Sequence, residues 1–166
     1  MSITTPLLIY LDTNVYSRPF DDQMQKRIKD EVNAFFNIIA EAKAGRLSLL
    51  RSDTLDFETE EVLDEEKRAK IMGYIESCKE YIPNSEELRQ LSKTIQKQCH
   101  IRARDALHVA SAILGNARYF LSCDDKVTQK KQANCYRRYA QNYKRDYFSV
   151  MNPALFVENF SKGKLA

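Results

Sequence analysis

Five consecutive apolar residues, Leu7-Leu8-Ile9-Tyr10-Leu11, stop abruptly at Asp12-Thr13-Asn14. Such a run has no wet face, so it reads as a strand covered on both sides, the kind found in parallel sheets. In an open parallel sheet the ligand crevice lies beyond the carboxyl ends of the strands, which is where Asp12 stands. The plain alternative is an Asp that only caps the next element, a common use of Asp and Asn. The run by itself leaves both readings open.

Further strands and helices follow in alternation. Val15 to Asp22, with Pro19 and paired acids, reads as a turn, after which Ile28, Val32, Phe35, Phe36 and Ile39 recur at helical spacing and Gly45 closes the helix. Leu47 to Leu50 forms a second apolar run, ending in Arg51-Ser52-Asp53-Thr54. Thr54 to Ser77 reads as one acidic helix anchored by Phe57, Val62, Ile71 and Ile75. Most of its acids form a solvated face, but Glu58 lies close enough to Ser52 to lean over the sheet edge. Glu80 to Pro83 reads as an edge strand, since proline cannot donate to a ladder. Asn84 or Ser85 then starts a helix carrying Leu88, Leu91 and Ile95. The helix from Arg104 to Asn116 is nearly apolar all round and is predicted to be the most buried; Asp105 in its first turn complements the helix dipole. Tyr119 to Leu121 is a strand ending in Ser122-Cys123-Asp124-Asp125, and Tyr147 to Met151 is the last strand before Asn152-Pro153 and a short helix. This alternation predicts an α/β doubly wound sheet, and 166 residues suit one domain over residues 1–166.

Bulk properties exclude more than they assign. Hydrophobic content of 43% and charged content of 30% are those of an ordinary globular protein. A net charge of +3 tolerates a polyanionic partner without demanding one. Cys78, Cys99, Cys123 and Cys135 show no zinc-ligand spacing and read as free thiols of a reducing compartment. No basic leader precedes the first apolar run, which is too short to span a membrane. A cytoplasmic location is expected.

Acids thus follow several strands: Asp12, Glu58 and Asp124, with Asp105 delivered by the buried helix. Carboxylates that converge cannot all stay ionised without a counter-cation. Oxygen-only ligands favour Mg²⁺ or Mn²⁺ over zinc, and a metal so held suits attack of water on a phosphodiester.

Leu11-Asp12-Thr13-Asn14, Ser52 with Glu58, Asp105-Ala106-Leu107-His108-Val109-Ala110-Ser111-Ala112 and Phe120-Leu121-Ser122-Cys123-Asp124-Asp125 follow one another in an order that resembles the PIN-domain family. The likeness runs from about residue 7 to residue 157. It implies a three-layer α/β/α fold with a five-stranded parallel sheet and a magnesium- or manganese-dependent ribonuclease. Small members are similar to VapC-type toxins of type II toxin–antitoxin pairs, so a cognate antitoxin is an implied partner, as is a homodimer. Carried over by position, Asp12, Glu58, Asp105 and Asp124 are the catalytic acids, with Asp12, Asp105 and Asp124 on the metal. Asn14 and Ser122 are the polar residues that brace them. Ser122 stands where Thr is more usual, and either Asp124 or Asp125 can be the last ligand, with spacing favouring Asp124.

Between Asp125 and Asp146 lie Lys126, Lys130, Lys131, Arg137 and Arg138, interleaved with Tyr136, Tyr139 and Tyr143. Such a segment either contacts RNA phosphates and stacks bases or is a solvated helix face. His108 reads as a packed, hydrogen-bonded histidine rather than a ligand, and Cys123 as a small packing residue. Two other readings compete with a nuclease: a non-catalytic RNA- or antitoxin-binding module, and a phosphoacceptor receiver domain. The receiver lacks its Asp after a third central strand.

Overall fold

A computed structural model describes residues 4–165; residues 1–3 and 166, and with them the ends of the expected domain, lie outside the described residues. The chain runs β1 (Leu7–Leu11), α1 (Thr13–Ser17), a 3-10 turn over Arg18–Phe20, α2 (Lys26–Lys43), β2 (Leu47–Ser52), α3 (Asp53–Glu60), α4 (Glu65–Glu76) and β3 (Glu80–Ile82). It continues through α5 (Glu86–Cys99), α6 (Ala103–Leu114), β4 (Tyr119–Leu121), α7 (Asp125–Thr128), α8 (Lys130–Ala140), a 3-10 turn over Gln141–Tyr143, β5 (Ser149–Met151) and α9 (Pro153–Ser161). Among the described residues no helix is long and apolar enough to cross a membrane.

All five strands pair in parallel, in the order β3-β2-β1-β4-β5. β1 is the middle strand, which explains its unbroken apolar run: Ile9, Tyr10 and Leu11 are completely buried. α2 lies against β2 and pairs with α9, while α6 lies against β2 and β4 and pairs with α5. Helices thus flank the parallel sheet in the expected α/β arrangement. Successive strands step from β1 to β2 and β3 on one side, then return to β4 and β5 on the other. That reversal opens a crevice beyond the ends of β1 and β4.

Several boundaries differ from the sequence reading, each for a local reason. The acidic helix breaks in two, because Asp64 accepts from the Lys67 N–H at 2.9 Å and starts α4 afresh. Phe57 is more than half exposed, while Ile71 and Ile75 anchor the core. In α2 the buried face runs through Phe35, Ile38 and Ile39, leaving Phe36 turned outward. The expected turn after Asn14 is largely α1 and its 3-10 extension, held by the fully buried Val15 and Tyr16. β5 begins at Ser149, with Phe148 buried in the turn ahead of it.

The reading of all four cysteines as free thiols is corrected. Cys99 and Cys135 form a disulfide across 36 residues that ties the end of α5 to α8, leaving Cys78 and Cys123 free. Its partners belong to helices that meet only in the folded chain, so no local spacing announces it.

Gly115 closes α6 where the helix passes over β2. A Cβ there would lie 2.3 Å from Leu50 Cδ2 and 2.9 Å from the Ser111 carbonyl oxygen. The Leu50 side chain is itself buried and has little room to retreat. Gly115→Ala is therefore expected to lower unfolding free energy by about 1–3 kcal/mol, the usual cost of overpacking, as measured by urea denaturation.

Candidate active site

β1 and β4 end side by side, with Leu11 in register with Leu121. Asp12 and Ser122 therefore leave the sheet as neighbours, and the Asp12 N–H donates to the Leu121 carbonyl at 2.9 Å. The Ser122 hydroxyl donates to Asp12 Oδ2 at 2.8 Å and accepts from Asn14 Nδ2 at 3.0 Å and from the Asp124 N–H at 3.1 Å. A hydroxyl has one proton and two lone pairs, so each of its hydrogen-bonding positions is used. Asn14 Nδ2 also donates to Asp12 Oδ2 at 3.2 Å, while Asn14 Oδ1 accepts from the Cys123 N–H at 3.0 Å. Oδ2 of Asp12 is thus fixed from two sides, and Oδ1 faces His108 at 3.6 Å.

His108 is buried on α6 and links that helix to the middle of the sheet. Its Nδ1 lies 2.6 Å from the Tyr10 hydroxyl, which in turn lies 2.7 Å from Ser52 Oγ. Ser52 Oγ also accepts from the Leu55 N–H at 3.1 Å, capping α3, the helix that presents Glu58. His108 Nε2 approaches Glu58 Oε1 at 2.6 Å, so the imidazole stands between Glu58 and Asp12.

Burial alone would lower the His108 pKa, but the Asp12 charge and the bond to Glu58 raise it above its ordinary value. Burial likewise pushes Glu58 up, and the hydrogen bond and charge of His108 more than reverse this, holding its pKa below the usual range. Asp12 is raised, chiefly by burial and further by Asp105 and Glu58, against the lowering influence of His108 and Ser122. All these groups therefore feel one another across one crevice.

Asp105 and Asp124 face a second cation. Arg102 Nε donates to Asp105 Oδ2 at 3.0 Å and its Nη2 to Asp124 Oδ2 at 3.4 Å. Asp124 Oδ1 accepts from the Lys126 N–H at 2.9 Å and so caps α7. Asp125 turns away to Arg27, which holds it at 2.7 and 2.8 Å. Asp124, not Asp125, thus faces the crevice. Among the described residues, no three acid, histidine or cysteine groups converge closely enough to hold one metal ion as they stand. The four acids instead form two pairs, one spanned by the His108 imidazole and one by the Arg102 guanidinium. The donor set still fits a hard divalent cation: it is all oxygen, and one positive group already sits between Asp105 and Asp124.

Cavities flank the acids. One of about 360 Å³ is lined by Arg102, Asp105, Asp124 and Lys126 together with Gln129 and Gln132. Another of about 290 Å³ lies beside Glu58 and holds Phe57, with Arg104 placed 5.8 Å above its ring. Lys126, Lys130, Lys131 and Arg138 are exposed on α7 and α8, and Arg137 is half-buried. The interleaved tyrosines require a correction: Tyr136 is fully buried and donates to the Val127 carbonyl at 2.9 Å, so it belongs to the core and cannot stack a base. Tyr139 and Tyr143 are half-buried against the same core. Sequence reasoning missed Arg102, Tyr10 and Gln132. Only Arg102 left a trace, its place three residues before Asp105 on the same helix face.

Neither a protein-family model nor a curated protein sequence matches the chain. Among solved structures it is similar to the crystal structure of VapBC2 from Rickettsia felis bound to a DNA fragment from their promoter, with a TM-score of 0.53 and 15% identity. The match covers 88% of this chain and 98% of that one. The likeness is one of fold.

The two titrating partners set a pH window. A histidine whose pKa is raised on folding stabilises fully below about pH 6.5, and that contribution is lost as pH climbs through the raised value. Glu58, lowered on folding, stabilises above about pH 4.3, and its contribution is lost as pH falls through the lowered value. Asp12, raised like His108, adds a loss of stability that begins above about pH 3.9. Thermal melts in a chelator between about pH 5 and 9 should show the melting temperature falling on the alkaline side. His108→Gln, which cannot charge, should flatten that limb.

Proposed function

We propose that this chain is an RNA endonuclease that hydrolyses phosphodiester bonds with Mg²⁺ or Mn²⁺ and uses water as the nucleophile. The observation that supports the reading is that two acid pairs, Asp12 with Glu58 and Asp105 with Asp124, border the crevice where the sheet order reverses between β1 and β4. Asp12, Asp105 and Asp124 would hold the ion, which supplies an acidified water and offsets charge building on the phosphate. Asn14 and Ser122 orient Asp12 by fixing Oδ2 and leaving Oδ1 toward the crevice. Glu58, kept ionised by His108, is placed to accept a proton from the attacking water. Lys126, Lys130, Lys131, Arg137 and Arg138 guide the RNA backbone, an electrostatic role that weakens with salt. The fold likeness to VapBC2 supports a toxin held in check by a cognate antitoxin; a second copy of the chain is proposed as a further partner.

A second reading keeps the fold without the chemistry: an RNA- or antitoxin-binding module. Its support is that His108 and Arg102 already span the two acid pairs.

Cleavage of a panel of structured and unstructured RNAs, with and without Mg²⁺ or Mn²⁺, separates the two. Asp12→Asn should lower cleavage by more than ~100-fold, beyond the loss expected from removing an outer partner of a metal ligand. Because burial raises the Asp12 pKa, its ionised form costs stability, so the variant should melt at or above the wild-type temperature. Equal metal-dependent cleavage by a clean Asp12→Asn preparation contradicts the nuclease reading, and RNA retention by wild type without turnover selects the binding module.

A further inference from the structure

α3 buries Thr54, Leu55 and Thr59, yet its largest apolar side chain, Phe57, is 56% exposed. A single exposed apolar side chain needs no explanation; the surroundings of this one are what matter. Phe57 immediately precedes Glu58 and lines the 290 Å³ cavity with Glu58, Arg104 and Leu107. The Arg104 guanidinium stands over the ring, 5.8 Å from its centre, within the reach of a cation–π contact. Glu61 holds that guanidinium through both terminal nitrogens, at 2.8 and 3.2 Å.

The acids of α3 do not exclude a polyanion from this place, because most are already engaged. Glu58 contacts His108, Glu61 contacts Arg104, Asp56 contacts Arg51, and Asp53 accepts from Tyr81 and from the Asn84 N–H. An accessible aromatic ring with an arginine beside it is the arrangement that holds unpaired bases, whose flat faces stack on the ring whatever their identity. On the Asp105–Asp124 side of the crevice the other cavity offers Arg102 and Lys126, charges suited to a phosphate. A strand crossing the acids thus meets cations on one side and an aromatic surface on the other.

We propose that Phe57 and Arg104 form a stacking platform for one unpaired nucleobase of a single-stranded RNA whose backbone lies at the acids. The base packs on the exposed Phe57 ring, and the Arg104 guanidinium adds its charge beside it. Stacking is indifferent to base identity, so the platform places the strand without choosing its sequence. The proposal rests on the ribonuclease reading for the source of that strand, but stacking is measurable without cleavage.

The test is titration of the full chain, in Ca²⁺ to slow turnover, with a short unstructured RNA and with a wholly abasic ribose-phosphate strand of the same length. Wild type should bind the base-bearing strand about tenfold more tightly than the abasic one, in the range of one base stacked on an aromatic side chain. Phe57→Ala should lose that preference while melting near the wild-type temperature, since the ring is exposed. The chain contains no tryptophan, so Phe57→Trp places a single indole on the platform; it should keep the preference, and its fluorescence should be quenched by the base-bearing strand and not by the abasic one. Equal binding of the two strands by wild type, an undiminished preference in Phe57→Ala, or an indole that neither strand quenches overturns the proposal and leaves the ring to a protein partner. Stacking without cleavage in Mg²⁺ or Mn²⁺ keeps the platform and removes the nuclease reading. Cleavage by a wild type that binds both strands equally does the reverse.

Discussion

Like charges gathered at one sheet edge set the terms for this molecule. Two carboxylates 4 Å apart repel by about 4 kcal/mol at an effective dielectric of 20, several times the net worth of an ordinary hydrogen bond, about 1 kcal/mol. Basic groups placed between Asp12 and Glu58 and between Asp105 and Asp124 offset repulsion of that kind. The chain supplies its own basic groups: His108 between Asp12 and Glu58, and Arg102 between Asp105 and Asp124. They differ in kind. His108 is buried, locked by Tyr10 and able to lose its charge with pH, whereas Arg102 is mostly exposed and always charged. An exposed guanidinium can swing aside for an incoming ion at little cost, while displacing His108 would break its buried contacts with Tyr10 and Glu58. A divalent ion on Asp12, Asp105 and Asp124 would thus displace Arg102 and leave the Tyr10–His108–Glu58 contacts standing.

The scaffold serves this arrangement through its middle strand. β1 is paired on both edges and covered on both faces, so Asp12 leaves it with a fixed direction. Tyr10, two residues earlier on the same face, carries polar contacts from Ser52 at the end of β2 to His108 on α6. With His108 charged, Nδ1–H donates to Tyr10, and Tyr10 donates to Ser52. With it neutral, Tyr10 donates to Nδ1, and Ser52 can donate to Tyr10 in turn. One chain of hydrogen bonds accommodates both charge states by reversing direction, without moving a side chain.

Much of this was legible in the sequence because strand ends are marked by where apolar runs stop. Asp12, Ser122 and Asp124 could be placed at the carboxyl edge on that ground, and Glu58 by its distance from Ser52. The choice of Asp124 over Asp125 needed Arg27, nearly a hundred residues away and on another helix. His108 could be read as a satisfied histidine, but its partners come from β1 and α3, and no local pattern joins those. Arg102 looked like part of a break between helices; its role depends on which way a side chain leaves the first turn of α6. Phe36 and Ile38 were interchanged because a helix pattern defines a face only to within a residue or two. Tyr136 was misjudged because a tyrosine among lysines and arginines looks exposed until the inward stripe of α8 is seen.

The most direct test is Mn²⁺ binding followed by electron paramagnetic resonance on the complete chain, comparing wild type with Asp105→Asn and Arg102→Gln. If the acids form a cation site that Arg102 fills in the ion's absence, wild type binds Mn²⁺ saturably, Asp105→Asn loses that binding, and Arg102→Gln binds more tightly. Weak, unsaturable binding that is identical in all three proteins would contradict it.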